Sequence, residues 1–266
     1  MMEFQQIQLE IRDSVGILTL NAPDKLNALT PLMVTEISQA VEDIASRCRA
    51  MIITGAGRAF CSGASLDPSN PLSPLDNDPA TRDLGLVLEH QLNPLMLKLK
   101  NLDIPWISAV RGAAAGFGAS LALAADMVVA SETAYFAQIF SRIGLVPDGG
   151  ATHLLSRTLG RVRTMELMLT GNRLSAERAL EWGLINRVTE DSQLDAQAFE
   201  IASSLANGPS QALGMTRKAI WAATDNSWEA SLQNERELQK IAGQTQDFAE
   251  GIAAFTEKRA AVFTGK

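Results

Sequence analysis

Two glycine-containing turns are the segments of this 266-residue chain with the clearest chemical use. Arg58-Ala-Phe-Cys-Ser62-Gly63-Ala64 follows one apolar run, and Ala115-Gly116-Phe117-Gly118 follows another and opens a helix. Turns of this kind can present backbone N–H groups outward, and a helix N-terminus adds a dipole that favours negative charge. Two such groups converging on one carbonyl oxygen make an oxyanion hole, where losing one donor costs roughly 2.7–4 kcal/mol. The same spacing suits two tight turns whose small residues serve packing alone, and spacing does not separate the two readings.

The supply of residues removes most other chemistries. His90 and His153 are the histidines, Cys48 and Cys61 the cysteines, and no set of them has metal-ligand spacing. No Walker A motif is present, and the glycines from Gly112 to Gly118 lack dinucleotide-loop spacing. Neither Ser62 nor Ser120 lies in a G-x-S-x-G stretch. His153 reads as a surface or packing residue and His90 as part of a solvated helix face. With 23 basic against 30 acidic side chains, the net charge of −7 opposes a nucleic-acid partner. The longest weakly polar run, residues 112–125, is too short to span a membrane, so no membrane partner is expected. The N-terminus lacks the basic and apolar regions of a signal peptide, and two cysteines make no disulfide scaffold. The expectation is a soluble, cytoplasmic protein.

The elements that must position the turns follow from periodicity. Residues 6–12 and 15–20 read as two short strands joined by a turn. Thr30 before Pro31 reads as an N-cap, and Met33, Ile37, Val41 and Ile44 then form one apolar helix face. Residues 51–53 and 106–110 read as buried strands, 111–118 as a glycine- and alanine-rich turn, and 119–125 as a helix. Residues 127–130, 135–138 and 184–188 read as further strands; 152–159, 162–169 and 176–182 as helices. Beyond Asp191 every periodic segment reads helical, to about Phe263. The chain divides into a β/α body, residues 1–190, and a C-terminal helical region, residues 191–266. Residues 67–80, with four prolines, read as a loop, and Pro94 either kinks the helical stretch 82–100 or opens a second helix.

Several stretches together resemble the crotonase (enoyl-CoA hydratase/isomerase) superfamily over essentially the whole chain. They are Asn21-Ala-Pro-Asp-Lys-Leu-Asn-Ala-Leu29, Thr54-Gly-Ala-Gly-Arg-Ala-Phe-Cys-Ser-Gly63, Ala109-Val-Arg-Gly-Ala-Ala-Ala-Gly-Phe-Gly118 and Ile143-Gly-Leu-Val-Pro-Asp-Gly-Gly150, with Leu174-Ser-Ala-Glu-Arg-Ala-Leu-Glu-Trp-Gly183 and the Phe263-Thr-Gly-Lys266 end. Within the superfamily the chain is most similar to the group isomerising ring epoxides of phenylacetyl-CoA. The resemblance implies an α/β fold, a spiral of β-β-α repeats, with the helical region mediating assembly into a homotrimer or a dimer of trimers.

It also implies an acyl-CoA substrate, with coenzyme A present as part of that substrate and no permanently bound cofactor or metal. The family oxyanion hole maps onto the N–H groups of Ser62 and Phe117. Lys25 and Leu26 lie near the nucleotide, Ala64 and Leu66 near the adenine end, and Phe263 and Lys266 reach CoA from a neighbouring subunit. Asp148 stands where the isomerase group carries its acid/base, although an aspartate before two glycines also suits a turn or an N-cap. The family's hydratases use two glutamates to hold and split a water; Ser120 and Phe140 occupy those positions here. The activity implied is therefore isomerisation through a thioester enolate with one acid/base, on a ring-epoxide phenylacetyl-CoA or a Δ3-enoyl-CoA. Alternatives are a hydratase with atypical residues, a dehalogenase-like Asp148 nucleophile and a non-catalytic acyl-CoA-binding protein.

Overall fold

The computed structural model describes residues 3–65 and 83–266, so the proline-rich segment 67–80 and Leu66 lie outside the described residues. Strands β1 (Ile7–Arg12) and β2 (Val15–Leu20) form an antiparallel hairpin, turned by Asp13 and Ser14 at φ 49° and 63°. The Thr30 hydroxyl accepts the Met33 N–H at 3.1 Å and starts α1 (Pro31–Arg47), which buries Met33, Ile37, Val41 and Ile44 as its spacing predicts.

From α1 onward the chain winds as a spiral, placing successive strands in alternate sheets. Strands β3 (Ala50–Gly55), β5 (Trp106–Val110) and β7 (Met127–Ser131) join the first sheet, with order β1-β2-β3-β5-β7-β10. Strands β4 (Ala59–Cys61), β6 (Ala113–Ala115) and β8 (Tyr135–Ala137) join the second, with order β4-β6-β8-β9. Strands β3, β5 and β7 pair parallel with one another, as do β4, β6 and β8. This is the α/β spiral of β-β-α repeats expected of the chain. Strands β4 and β6 lie inside stretches that read as turns, and β9 (Arg173–Ser175) was also unforeseen. All three are three-residue strands, too short to carry a period.

Pro94 ends no helix. Segments α2 (Gly85–Val87), a π-helical turn at Leu88–Leu92 and α3 (Asn93–Lys100) follow without interruption. The wider π turn ends two residues before Pro94, which has no N–H to give. Helix α4 (Phe117–Leu123) begins two residues earlier than its sequence pattern suggests. Helix α5 (Ala151–Thr170) is broken at Gly160, φ 72° and ψ 170°, which separates the two helices that periodicity predicts there. After α6 (Ala176–Glu181), β10 (Arg187–Thr189) forms later than expected, because Gly183 and Leu184 turn back onto Leu180 and Ala179.

Helix α7 (Leu194–Ala206) covers the outer face of the first sheet, burying Leu194, Ala198 and Ala202 against Val15, Ile52, Ile107 and Val129. Helices α8 (Ser210–Ala223), α9 (Trp228–Ala242) and α10 (Gln246–Glu257) complete the chain. Helicity stops at Glu257, with Lys258 left-handed at φ 56°, short of the expected Phe263. No described helix is long and apolar enough to cross a membrane.

Candidate active site

The two glycine turns meet because β4 and α4 approach each other closely. A Cβ at Gly118 would lie 2.3 Å from the Cys61 carbonyl oxygen, so no other residue fits that first helical turn without displacing β4. Gly116 precedes the helix at φ 53°, and Gly63 takes φ 103° beside the Phe117 nitrogen. The Phe117 N–H heads α4, where no preceding turn can accept it. Behind the turns, the buried Asn27 amide donates to the Ala56 and Ala59 carbonyls and accepts the Ala22 N–H, fixing the loop that carries Lys25 and Leu26.

Ser62, expected as the second donor, is corrected by the structure. Its N–H donates to the Leu26 carbonyl at 3.0 Å and is spent on holding the turn. Ala64 takes the outward position instead. Leu29 bonds the two residues flanking Ala64, donating to the Gly63 carbonyl at 2.8 Å and accepting the Ser65 N–H at 2.9 Å. In a parallel pairing of this kind the N–H of the middle residue faces away from its partner. Among the described residues nothing takes the N–H of Ala64 or of Phe117. Ala64 was expected near adenine; it lines the same cavity as Phe117 and Asp148.

That cavity, of about 140 Å³, is walled by Val87, Leu88 and Leu92 of the helical run and by Phe117, Ile139 and Phe140. Asp148 is the ionisable side chain among its described lining residues. Its Oδ1 is buried without a hydrogen-bond partner among them. Burial without compensation pushes the carboxyl up from 3.8 to about 6. Ser120, fully buried, donates its hydroxyl to the Asp148 carbonyl at 2.9 Å. Close by, the buried Cys61 thiol is pushed up to about 12 by desolvation, against the lowering effect of the Gly63 N–H on its sulfur. Neither histidine lines this cavity.

The comparisons with known proteins decide what these features belong to. The family model described as Enoyl-CoA hydratase/isomerase matches residues 10–266. The chain belongs to the enoyl-CoA hydratase/isomerase family. A chain from Escherichia coli (strain K12) named 1,2-epoxyphenylacetyl-CoA isomerase is 42% identical over 268 aligned positions, covering all of both chains. Trans-2-decenoyl-[acyl-carrier-protein] isomerase of Streptococcus mutans is 34% identical, again over all of both chains. The crystal structure of an enoyl-CoA hydratase from Polaromonas sp. JS666 superposes with a TM-score of 0.88 at 32% identity, covering 97% of this chain and 99% of that one.

The chain is thus an enzyme of the hydratase/isomerase family, and an acyl-CoA is the substrate that such a family implies. Of the two positions where the resemblance puts the hydratases' glutamates, Phe140 lines the cavity and Ser120 lies behind it. Lys25 and Leu26 adjoin the turn at Ser62, whose N–H donates to the Leu26 carbonyl at 3.0 Å and whose hydroxyl faces the Lys25 carbonyl at 3.5 Å. Phe263 and Lys266 lie elsewhere. The Phe263 carbonyl accepts from Arg49 at 3.1 Å, the Lys266 carbonyl accepts the Asp247 N–H at 3.0 Å, and neither residue lines this cavity.

Proposed function

We propose that this enzyme is an acyl-CoA isomerase with a single carboxylate acid/base. The observation that carries the proposal is Asp148, whose Oδ1 is buried without a partner among the described residues in an apolar cavity shared with two outward N–H groups. The thioester oxygen accepts from Ala64 and Phe117, and charge developing on it is stabilised most effectively where water is excluded. Asp148 takes the α-proton of a β,γ-unsaturated thioester, the double bond moves to the α,β position, and the proton returns to the γ-carbon with no gain of water. A base with a pKa of about 6 is ionised at neutral pH yet strong enough to work there. The isomerase relative at 42% identity supports a ring-epoxide phenylacetyl-CoA as substrate, with Δ3-enoyl-CoA as the simpler probe. Lys25 and Leu26 would flank the nucleotide, and Phe263 and Lys266 would serve a neighbouring copy in a trimer or a dimer of trimers.

Purified protein offered Δ3-enoyl-CoA should give the conjugated Δ2 thioester at unchanged mass. Asp148→Asn should lower kcat by about 100- to 10,000-fold, the usual contribution of a positioned acid/base, with little change in CoA affinity. Activity within about threefold of wild type would remove Asp148 as the base. Gain of water from a Δ2 thioester would make the enzyme a hydratase. Thioester binding without α-proton exchange in heavy water would make it a binding protein.

A further inference from the structure

The segment carrying Asp148 has little to hold it. It runs through Gly144, Gly149 and Gly150, all at positive φ, and Leu145 and Val146 within it are exposed. The carboxylate Oδ1 has no partner among the described residues, so the side chain does not anchor itself. Among the described residues, both hydrogen bonds at Asp148 fall on its carbonyl oxygen: Ala151 N–H at 3.1 Å and Ser120 Oγ–H at 2.9 Å. Ala151 follows on the same segment and fixes nothing across the site. Ser120 belongs to α4, one turn beyond Phe117, whose N–H heads that helix.

A hydroxyl has one proton to give. Ser120 has a second acceptor in the Gly116 carbonyl, but at 3.4 Å against 2.9 Å for Asp148 the proton goes to Asp148. Contact reinforces this bond. A Cβ at Gly149 would lie 2.7 Å from Ser120 Cβ and 3.1 Å from the Phe117 ring, so the backbone next to the base rests directly on these two side chains.

From this we infer that Ser120 is a positioning residue that fixes the acid/base relative to the oxyanion donor, through one hydrogen bond from α4 to the Asp148 carbonyl. The inference rests on the isomerase reading. A 1,3-shift needs one carboxylate to reach both the α- and γ-carbons while the enolate oxygen stays on Phe117. A tethered backbone limits the swing between the two carbons and shortens the time in which the abstracted proton exchanges with solvent.

Ser120→Ala and Ser120→Cys test this together, since the cysteine keeps the bulk and supplies only a weak donor. Both variants and wild type would turn over Δ3-enoyl-CoA in heavy water, with γ-deuterium in the Δ2 product read by mass spectrometry. Both variants should lose about 10- to 100-fold in kcat, the scale of a misplaced reacting group, and incorporate more γ-deuterium. KM should stay within about twofold, because substrate binding does not use the tether. Wild-type kcat and deuterium content in the alanine variant would overturn the inference, as would full recovery in the cysteine variant, which would assign the effect to packing. Asp148→Asn activity within about threefold of wild type would instead remove Asp148 as the base, the reading on which the tether rests. Loss of activity in Asp148→Asn alongside wild-type behaviour of the Ser120 variants would remove the tether alone.

Discussion

At the scale of single residues, the chemistry and the stability of Asp148 oppose each other. Its carboxyl titrates near about 6 in the folded chain and at the ordinary 3.8 when unfolded. Between those values the folded chain keeps a proton that the unfolded chain releases, so stability falls as pH rises through that window. Above it the buried anion costs roughly 1–3 kcal/mol. Asp148→Asn should therefore be more stable than wild type by that amount in urea unfolding at about pH 8, with the advantage gone below about pH 4. Equal stability at both pH values would mean that the carboxylate is better solvated than its burial indicates. With Asp148 as the proposed base, the same titration should set the rising limb of kcat/KM near pH 6 in wild type.

At the scale of elements, the contact between β4 and α4 sets the spacing of the two outward N–H groups. Gly118→Ala places a methyl where the Cys61 carbonyl already stands, so the elements must separate. The expected result is a folded variant with a kcat loss of about 100-fold or more, the value of one displaced oxyanion donor. Wild-type kcat would show that the gap adjusts without cost to the proposed hole. This contact also marks how far the sequence could be read. The alternation in β1 and β2, the Thr30 cap and the apolar face of α1 are local patterns, and each formed where its pattern lies. The second sheet was illegible because β4, β6 and β9 are held by their neighbours rather than by any period of their own. The site divides in the same way. The glycine turns and Asp148 are visible as motifs, but the choice of Ala64 over Ser62 depends on which peptides Leu26 and Leu29 engage, pairings between segments distant in the chain. The role of Ser120 was hidden for a related reason, since its acceptor is a backbone carbonyl with no side-chain identity to read.

At the scale of the whole molecule, one buried arginine joins the C-terminal helices to the spiral. Arg217 of α8 donates to Asp126 at 2.6 Å and to the carbonyls of Leu99, Lys100 and Leu102 at the end of α3. Arg217→Met strands those buried carbonyls and takes the cation from Asp126, leaving it the Trp106 N–H at 2.9 Å, which should cost about 3–5 kcal/mol in urea unfolding. A loss below about 1 kcal/mol would put the pair in the class of exposed ion pairs. Beyond α8, helices α9 and α10 leave Trp228 and Phe255 at 74% and 85% exposure, bare apolar surface of the kind that self-assembly would cover.

The buried thiol of Cys61 gives the molecule a built-in clock. A thiol held protonated well above neutral pH cannot react with an alkylating agent until its surroundings open. Because Cys61 ends β4 against the first turn of α4, its modification would count the occasions on which the two outward N–H groups part company. In iodoacetamide at mildly alkaline pH, followed by peptide mass spectrometry, Cys61 should stay unmodified for as long as the enzyme stays active, and Gly118→Ala should shorten that time. Labelling of wild-type Cys61 at the rate of the unfolded chain would show that the site breathes freely.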